Sequence, residues 1–520
     1  MAAEGSGARI VRNTLATGAG QFLAVGISIA LTPFLIRGLG TEAYGVFVLA
    51  LTFTFFGGWA ALADLGVEGA AVRYVAEARA GGSDVAAVNR TVSTAMLFFS
   101  GLALLIAPVL VVAAQGLVGV FSIGSELQDE ARLLFGLVAC QLVFELPARA
   151  LFAVLQGSQR FGTFQAIEVS RALVQAALFI VVLVTGGGLV QLGLAMLAAS
   201  ALVLMLAWVY SRRAMPDLRL SPRNATRDEL RRLVTFGGGL LATRVIGTLF
   251  RQMDKLIIGT VLGARLVTPY DVANKVQAGV AMVQTIAASS LLPATAYIRE
   301  RQATLRDLYL RGSSYTVAAT IPVLVGAFVL AGPLIEGWVG SALADDATTA
   351  ARLFLLYLAI ILPHVVGQSM LVALGRIRPV LGVASAALVI NAAVSLALVS
   401  PLGIEGVVLG TVAANAVTTP FLFVVSVREF DVDVRGWLAA IAVPNVPGLL
   451  AQAALAVPLL ALAEHVDSLP FTVLLLGFSV LVSLAVYVTI GLKAAQRTLL
   501  IETFRQALGS GGRAGANAPS

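Results

Sequence analysis

The chain has 520 residues, of which 58% are hydrophobic and only 12% are charged, and its mean hydropathy is +0.92. A soluble domain carries roughly 25% charged residues, so a soluble globule of this size could not cover its own surface, and disordered chains are poor in apolar residues. The composition therefore excludes both classes and predicts a protein that crosses a membrane several times. The formal net charge of +7 is informative through its distribution along the chain, which is described below for the loops and the spans.

Apolar stretches between charged loops predict an all-α integral membrane protein with about 14 transmembrane helices, because a helix needs about 20 apolar residues to cross the hydrocarbon. The stretches 91–125 and 172–211 contain no charge. The second is long enough for two helices, separated at Gly186-Gly187-Gly188. In chain order the predicted spans lie near 14–36, 44–63, 92–114, 132–155, 164–184, 188–210, 235–262, 269–296, 313–338, 350–374, 378–400, 404–426, 437–463 and 470–491.

Arginine and lysine are distributed unevenly between the predicted loops. Alternate loops, counted from the N-terminus, contain 26 of these residues, and the opposite set contains only Arg37, Arg132, Arg265 and Arg352. Cytoplasmic loops carry the positive excess, so both termini are predicted to be cytoplasmic. The N-terminal segment does not read as a cleavable signal. The tail 493–509 fits an amphipathic helix on the inner leaflet or a solvated segment equally well.

Two pairs of similar segments suggest an internal repeat. The pairs Leu39-Gly40 and Leu262-Gly263 are 223 residues apart, and Gly157 and Gly375 are 218 apart. Such offsets predict two pseudo-symmetric six-helix bundles entering the membrane in the same sense, as in some transporters; two generic apolar hairpins are the alternative. The predicted division is 1–210 for the N-terminal bundle, 211–234 for a basic cytoplasmic linker, 235–430 for the C-terminal bundle, 431–492 for two further helices and 493–520 for a cytoplasmic tail.

Ionisable residues are concentrated in the seventh predicted span. Arg244, Arg251 and Lys255 fall on one stripe of a helix with about 3.6 residues per turn. Asp254 follows Arg251 by three residues and can pair with it, and Lys275 adds a cation in the next span. Because charges at membrane depth normally face protein or a wet cavity, these five residues are predicted to bind an anionic headgroup. The alternative is a buried Arg251–Asp254 pair that holds helices together, with Lys255 reaching out to the membrane surface.

Two further carboxylates, Asp64 and Glu145, fit either a proton- or cation-coupling role or a hydrogen-bonded structural role. Glu168 and Arg171 are three residues apart, and mutual neutralisation is the favoured interpretation. The chain has two histidines and one cysteine, too few for a histidine metal cage or an internal disulfide. No metal and no cofactor are predicted.

The residues quoted above resemble the multidrug/oligosaccharidyl-lipid/polysaccharide exporter superfamily, and within it the polysaccharide transporters, which are Wzx-type flippases of lipid-linked oligosaccharides. The resemblance covers roughly 10–430. Its marks are LIRGLGTEAYGVF at 35–47, the segment 254–263 followed by Tyr270, Ala273 and Lys275, and the segment 373–415 with Asn391 and the Pro401-Leu402-Gly403 turn.

The resemblance implies two helical bundles that alternate access across the bacterial inner membrane. It implies an undecaprenyl-pyrophosphate-linked glycan as cargo, whose sugars and phosphates pass through a polar cavity while the tail stays among membrane lipids. A polysaccharide polymerase and glycosyltransferases are possible partners, and no nucleic acid is expected. Fourteen spans also resemble the lipid II flippases, although helices 13 and 14 carry almost no mark of a role in binding the lipid tail.

Two other functions are alternatives to that of a flippase. A drug or organic-cation antiporter of the same superfamily would show carboxylates dominating its cleft, which the net positive seventh span argues against. A membrane-embedded glycan-processing enzyme would need a sizeable loop with acidic catalytic residues, and the loops here are short. The sequence also lacks the Gly-Lys-Ser/Thr ending of a P-loop, so the chain is expected to be a transporter and not an enzyme.

Overall fold

The computed structural model describes residues 20, 23–54, 58–80, 84–289, 302–466, 468–492 and 497. The described part is helical, and no strand occurs within it. Its helices, in chain order, are α1 (Leu23–Leu39), α2 (Thr41–Leu51), α3 (Val67–Ala80), α4 (Val85–Val120), α5 (Gln128–Gly157), α6 (Phe161–Val184), α7 (Leu189–Ala214), α8 (Arg227–Val261), α9 (Ala264–Ser289), α10 (Gln302–Val329), α11 (Ala331–Val339), α12 (Ser341–Ile361), α13 (Val365–Ala373), α14 (Ile377–Glu429), α15 (Val434–Val466) and α16 (Leu469–Gly491).

Eight of the described helices are long and apolar enough to cross a membrane, or nine if the bent pair α12 and α13 forms one span. The chain is therefore a multi-pass membrane protein of the all-α class, as the composition predicts. The count of 14 spans stays a prediction. The first predicted span, near 14–36, and the eighth, near 269–296, lie partly outside the described residues.

Polar caps extend two helices beyond their predicted spans. The Asp84 side chain accepts a hydrogen bond from the backbone N–H of Ala87 (2.9 Å) and starts α4 ahead of the predicted span at 92–114. Thr226 caps α8 in the same way through the N–H of Glu229 (3.3 Å). The apolar pattern marks where a helix crosses the hydrocarbon, whereas the cap marks where the helix begins.

The predicted span near 44–63 is not one continuous helix. Helix α2 ends at Leu51, and the Thr52 hydroxyl donates back to the carbonyl of Leu49 (2.6 Å). The Trp59 N–H then donates to the Thr52 carbonyl (2.7 Å), a 3₁₀ helix runs over Trp59–Asp64, and α3 follows. Hydrophobicity alone predicts a span here, but these local bonds divide it.

Helix α14 covers two predicted spans, 378–400 and 404–426. Its backbone is non-helical at Gly403, where φ is +62°. Side chains with a Cβ rarely adopt this left-handed region, so glycine suits the position. The predicted turn at Pro401-Leu402-Gly403 is therefore confirmed as a sharp bend between two helical limbs.

The chain divides into two compact units. Unit 1 consists of 1–278 and 381–415, and unit 2 consists of 279–380 and 416–520. The division into pseudo-symmetric bundles at 1–210 and 235–430 stays a prediction.

In unit 1, α5 is a central helix that packs against α3, α4 and α7. Most of its side chains are buried. A Cβ on Gly157 would lie 2.7 Å from a Val75 methyl carbon and 2.9 Å from the Val72 carbonyl, so the glycine permits the close approach of α3 and α5. Lipid tails are as apolar as leucine, so such close packing, rather than a hydrophobic driving force, holds helices together within a bilayer.

In unit 2, α10 packs against α15 and α16, which correspond to predicted helices 13 and 14. The Gln452 side-chain amide donates to the Pro322 carbonyl (3.2 Å) and to the Ser479 hydroxyl (3.0 Å), and the Ser483 hydroxyl donates to the Gly448 carbonyl (2.9 Å). These neutral polar bonds join three helices in the way expected of membrane bundles.

Candidate functional site

Buried ionic side chains are confined to unit 1 within the described part of the chain. Each is at most 5% exposed, in a protein whose helices cross a membrane. Ionisable groups in such positions are costly and commonly functional. They are Asp64, Glu145, Arg149, Asp254 and Asp271.

Arg244 forms an ion pair with Asp64, the carboxylate at the end of the 3₁₀ helix. Asp64 is fully buried, and it also accepts a hydrogen bond from the Glu68 N–H (2.8 Å). A Cβ on Gly66 would collide with the backbone of Gly237 on α8, so the two backbones are in direct contact beside the pair. The structure thus joins a predicted binding residue to a predicted ion-coupling residue, which the spacing alone did not indicate.

Asp254 is buried among neutral donors. Its carboxylate accepts hydrogen bonds from the Tyr270 hydroxyl (3.0 Å), the Asn391 amide (3.1 Å) and the Thr411 hydroxyl (3.1 Å). The predicted Arg251–Asp254 pair is wrong: Arg251 is exposed and forms no ion pair with any residue that the structure describes. Hydrogen bonds from three neighbours, and not a cation on the same helix, satisfy this carboxylate.

Both limbs of α14 contribute to the Asp254 cluster. Asn391 lies before the bend at Gly403 and Thr411 after it. Ser395 ties the limbs together, because its hydroxyl contacts the Asn391 side-chain oxygen (2.9 Å) and the Val407 carbonyl (3.0 Å). The bend therefore brings two donors that are distant from Asp254 in sequence to the same carboxylate.

Asp271 links the two lysines that the sequence singled out. One carboxylate oxygen lies 3.0 Å from the Lys255 ammonium, and the other lies 2.7 Å from the Lys275 ammonium. The Tyr44 hydroxyl donates to Asp271 (2.8 Å) and accepts from Lys275 (2.5 Å). Lys255 and Lys275 are therefore not isolated cations but parts of a compact four-residue network.

A polar cavity of about 240 Å³ lies within unit 1. Side chains from α5, α6, α7 and α8 and from the segment after α2 line it, and most of them are polar. Among the described residues Lys255 and Glu145 lie on its wall, whereas Arg244 and Arg251 do not belong to the lining. Its charged and amide side chains include Gln141, Glu145, Arg171, Gln175, Gln252 and Lys255.

The cavity wall combines opposite charges. The Ser200 hydroxyl donates to Glu145 (3.1 Å). Arg171 forms the predicted pair with Glu168 (3.3 Å), which is confirmed, and also donates to the Gln175 side chain (3.2 Å). The amides can both donate and accept, the cations donate, and the carboxylate accepts. Such a lining can bind a ligand that carries both hydroxyl and anionic groups.

The sequence did not single out Asp271, although it precedes Lys275 by four residues, which like the three-residue spacing of Glu168 and Arg171 places two side chains side by side on a helix. Gln141 and Gln175 were missed because uncharged amides within apolar helices give a weak signal. Thr411 was missed because its partner is 157 residues away. No group of three or more potential metal-ligating side chains occurs in the described ranges.

The fold is that of the transporters of the multidrug/oligosaccharidyl-lipid/polysaccharide exporter (MOP) superfamily. The solved structure of the lipid II flippase MurJ, in an inward closed conformation, aligns with a TM-score of 0.72 and 14% identity over 96% of this chain and 99% of that chain. An inward-facing multidrug resistance MATE family transporter aligns with a TM-score of 0.64 and 15% identity, covering 78% and 94% of the two chains. These identities show a shared fold.

The family follows from the sequence match. Residues 34–345 match the model of the family described as polysaccharide biosynthesis protein, so the chain belongs to that family. A Shigella flexneri protein named as an O-antigen transporter is 22% identical over 334 residues, which cover 64% of this chain and 77% of that protein. The names of these relatives describe transporters and flippases, and the predicted resemblance is confirmed.

Proposed function

We propose that the protein translocates a polyprenyl-pyrophosphate-linked oligosaccharide, with undecaprenol as the lipid, across the bacterial inner membrane for surface polysaccharide biosynthesis. Family membership, the relative named for O-antigen transport and the fold shared with a lipid II flippase support this proposal. The observation that carries it is the polar cavity of unit 1, where Lys255 and Arg171 lie beside amide side chains. Ammonium and guanidinium groups suit phosphate, and amides suit sugar hydroxyls.

The proposed mechanism is alternating access, with both termini in the cytoplasm. The glycan and its phosphates enter the polar interior from the cytoplasmic side, and the lipid tail stays among membrane lipids. Arg244, Arg251, Asp254, Lys255 and Lys275 are the proposed binding residues. The cargo would come from glycosyltransferases and pass to a polysaccharide polymerase.

Asp64 and Glu145 are the proposed ion-coupling residues. Both are buried; Asp64 pairs with Arg244, and Glu145 accepts a hydrogen bond from the Ser200 hydroxyl. A carboxylate that gains or loses a proton or cation at such a place would change the charge balance of unit 1 in step with transport.

The primary experiment removes the chain from cells that make the surface glycan. Lipid-linked glycan should then accumulate facing the cytoplasm, which a membrane-impermeant glycan label measures on intact and on opened cells. Expression of the wild-type chain should restore labelling on intact cells. Unchanged export without the chain would contradict the proposed function.

The double variant Arg251→Ala/Lys255→Ala tests the cationic residues. We expect it to abolish surface glycan at unchanged protein abundance, because both cations proposed to hold the phosphates are removed. Arg352→Ala is the control, since Arg352 is a half-buried arginine of unit 2 that does not line the cavity. Full export by the double variant would contradict the proposed role of both residues in binding the cargo.

A cation antiporter is the second candidate, since four buried carboxylates lie in the described part of unit 1 and MATE family transporters share the fold. Two of these carboxylates, Asp64 and Asp271, are occupied by cations of the chain itself. This pairing favours anionic cargo. Drug resistance that follows expression of the chain, with export of glycan unaffected by its loss, would favour the antiporter instead.

A further inference from the structure

Asp271 of unit 1 contacts two lysines and a tyrosine. Its two oxygens bind different ammonium groups, Lys255 on α8 and Lys275 on α9, and its own side chain is only 6% exposed. The lysine side chains are 16% and 17% exposed. Tyr44 completes the network, with its hydroxyl bonded to Asp271 and Lys275 and its ring 5.3 Å from the Lys275 ammonium.

The charges of this network cancel only in part. Two ammonium groups and one carboxylate leave a single net positive charge, and each ammonium already has an anionic partner. An anion that binds these lysines must therefore replace a carboxylate that the fold holds in place. Coulomb energy grows with the charge of the ligand, so a singly charged anion gains little from the exchange, whereas a diphosphate can outcompete the carboxylate.

Lys255 connects the network to the cavity. It lies on the cavity wall together with Arg171, and it is also bound to Asp271. An anion that enters the cavity thus meets a cation whose present partner is Asp271.

We propose that Asp271 competes with anions for Lys255 and Lys275, so that an anion binds the two lysines tightly only when its charge, like that of a diphosphate, is high enough to displace the carboxylate. The proposal rests on the proposed function, in which the cargo carries a pyrophosphate group. Asp271 acts through the two lysines and is a positioning residue.

The test measures anion binding by calorimetry on the full chain in lipid nanodiscs. The probes are inorganic pyrophosphate and dimethyl phosphate, a singly charged phosphodiester. The wild-type chain should bind pyrophosphate at least about tenfold more tightly than dimethyl phosphate, which corresponds to about 1.4 kcal/mol. Asp271→Asn should bind each of the two anions at least about tenfold more tightly than the wild type does, because the competing carboxylate is gone.

Two variants separate charge from structure. Asp271→Glu keeps the negative charge and should keep its affinity for each anion within about twofold of the wild type, as expected when charge decides the competition. Asp129→Asn is the matched control, because it removes an exposed carboxylate of unit 1 that pairs with Arg132 (2.6 Å); its affinities for both anions should equal those of the wild type.

The proposal is overturned if folded Asp271→Asn binds pyrophosphate no more tightly than the wild type does, or if Asp271→Glu binds it about tenfold more tightly than the wild type does. If Asp271→Asn does not fold, the wild type and Asp271→Glu decide: a wild type without a preference for pyrophosphate contradicts the proposal. Farnesyl diphosphate in the nanodisc is a third probe. Tight binding of inorganic pyrophosphate together with no binding of farnesyl diphosphate would assign the lysines to a free anion and contradict a lipid-linked cargo.

The failure of this proposal is distinct from the failure of the proposed function. If glycan export depends on the chain while Asp271→Asn leaves the anion affinities unchanged, only the proposed role of Asp271 is contradicted. If export does not depend on the chain, the flippase function falls whatever the anion titrations show.

Discussion

In unit 1 the buried polar side chains include acids and an arginine, whereas in unit 2 those that the structure describes are hydroxyls, amides and the imidazole of His364. Unit 1 satisfies its buried charges with ion pairs and with clusters of donors around a single carboxylate. Unit 2 uses neutral bonds such as those of Gln452 to join α10, α15 and α16.

This difference separates two uses of polarity inside a membrane protein. Neutral hydrogen bonds between membrane helices contribute modest stability, averaging about 0.6 kcal/mol. Buried charges cost more to place and are retained where they meet ligands or ions. We therefore expect substitutions in unit 1 to impair export, and equally buried polar substitutions in unit 2 to affect stability alone.

The largest expected effect comes from breaking the Asp64–Arg244 pair. Arg244→Met leaves a fully buried carboxylate without its cation, which costs about 3–5 kcal/mol for a buried pair. The Arg244 side chain is 38% exposed, so we expect a loss near the lower limit, about 3 kcal/mol. Unfolding of the purified protein in detergent, followed by circular dichroism, measures the loss.

Its control is the exposed pair of Arg132 and Asp129, whose carboxylate side chain is 92% exposed. Arg132→Met should cost less than about 1 kcal/mol. The double variant Arg244→Met/Asp64→Asn should regain most of the stability, since no buried charge remains uncompensated. Equal losses for Arg244→Met and Arg132→Met would show that burial of Asp64 does not decide the effect.

A smaller effect is expected at Asp254. Thr411→Val keeps the shape of the side chain and removes one of three donors to the carboxylate. A hydrogen bond to a charged group contributes about 1.5–3 kcal/mol, and the loss should appear in the same unfolding measurement. Thr260→Val is the control, because Thr260 is exposed and bonds only within its own helix; a comparable loss there would contradict a special role of the Asp254 cluster.

The smallest effect is expected in unit 2. Gln452→Leu removes the bonds to Pro322 and Ser479, each contributing about 0.6 kcal/mol, and should cost about 1.2 kcal/mol. Surface glycan should stay at the wild-type level. A double-mutant cycle with Ser479→Ala isolates the Gln452–Ser479 bond. Loss of export by a folded Gln452→Leu chain would break the proposed contrast between the two units.

The sequence predicted the helical membrane class, the family and most helix positions, because apolar length and loop charge are local properties of the chain. It also predicted the Glu168–Arg171 pair and the turn at Gly403, which depend on neighbouring residues. It failed at the Arg251–Asp254 pair, because helical spacing permits a contact without forming it. The true partners of Asp254 include Asn391 and Thr411, more than 130 residues away, and no local pattern could identify them.

The composition of unit 1 also constrains how the chain is assembled as it leaves the ribosome. Residues 381–415 belong to unit 1, yet about a hundred residues of unit 2 precede them. Asp254 thus enters the bilayer well before Asn391 and Thr411 have been synthesised. Until α14 is inserted, that carboxylate must be hydrogen-bonded by water, by Tyr270 or by a chaperone. Unit 1 is therefore completed late in biogenesis, and the chain is most prone to misfolding before that step.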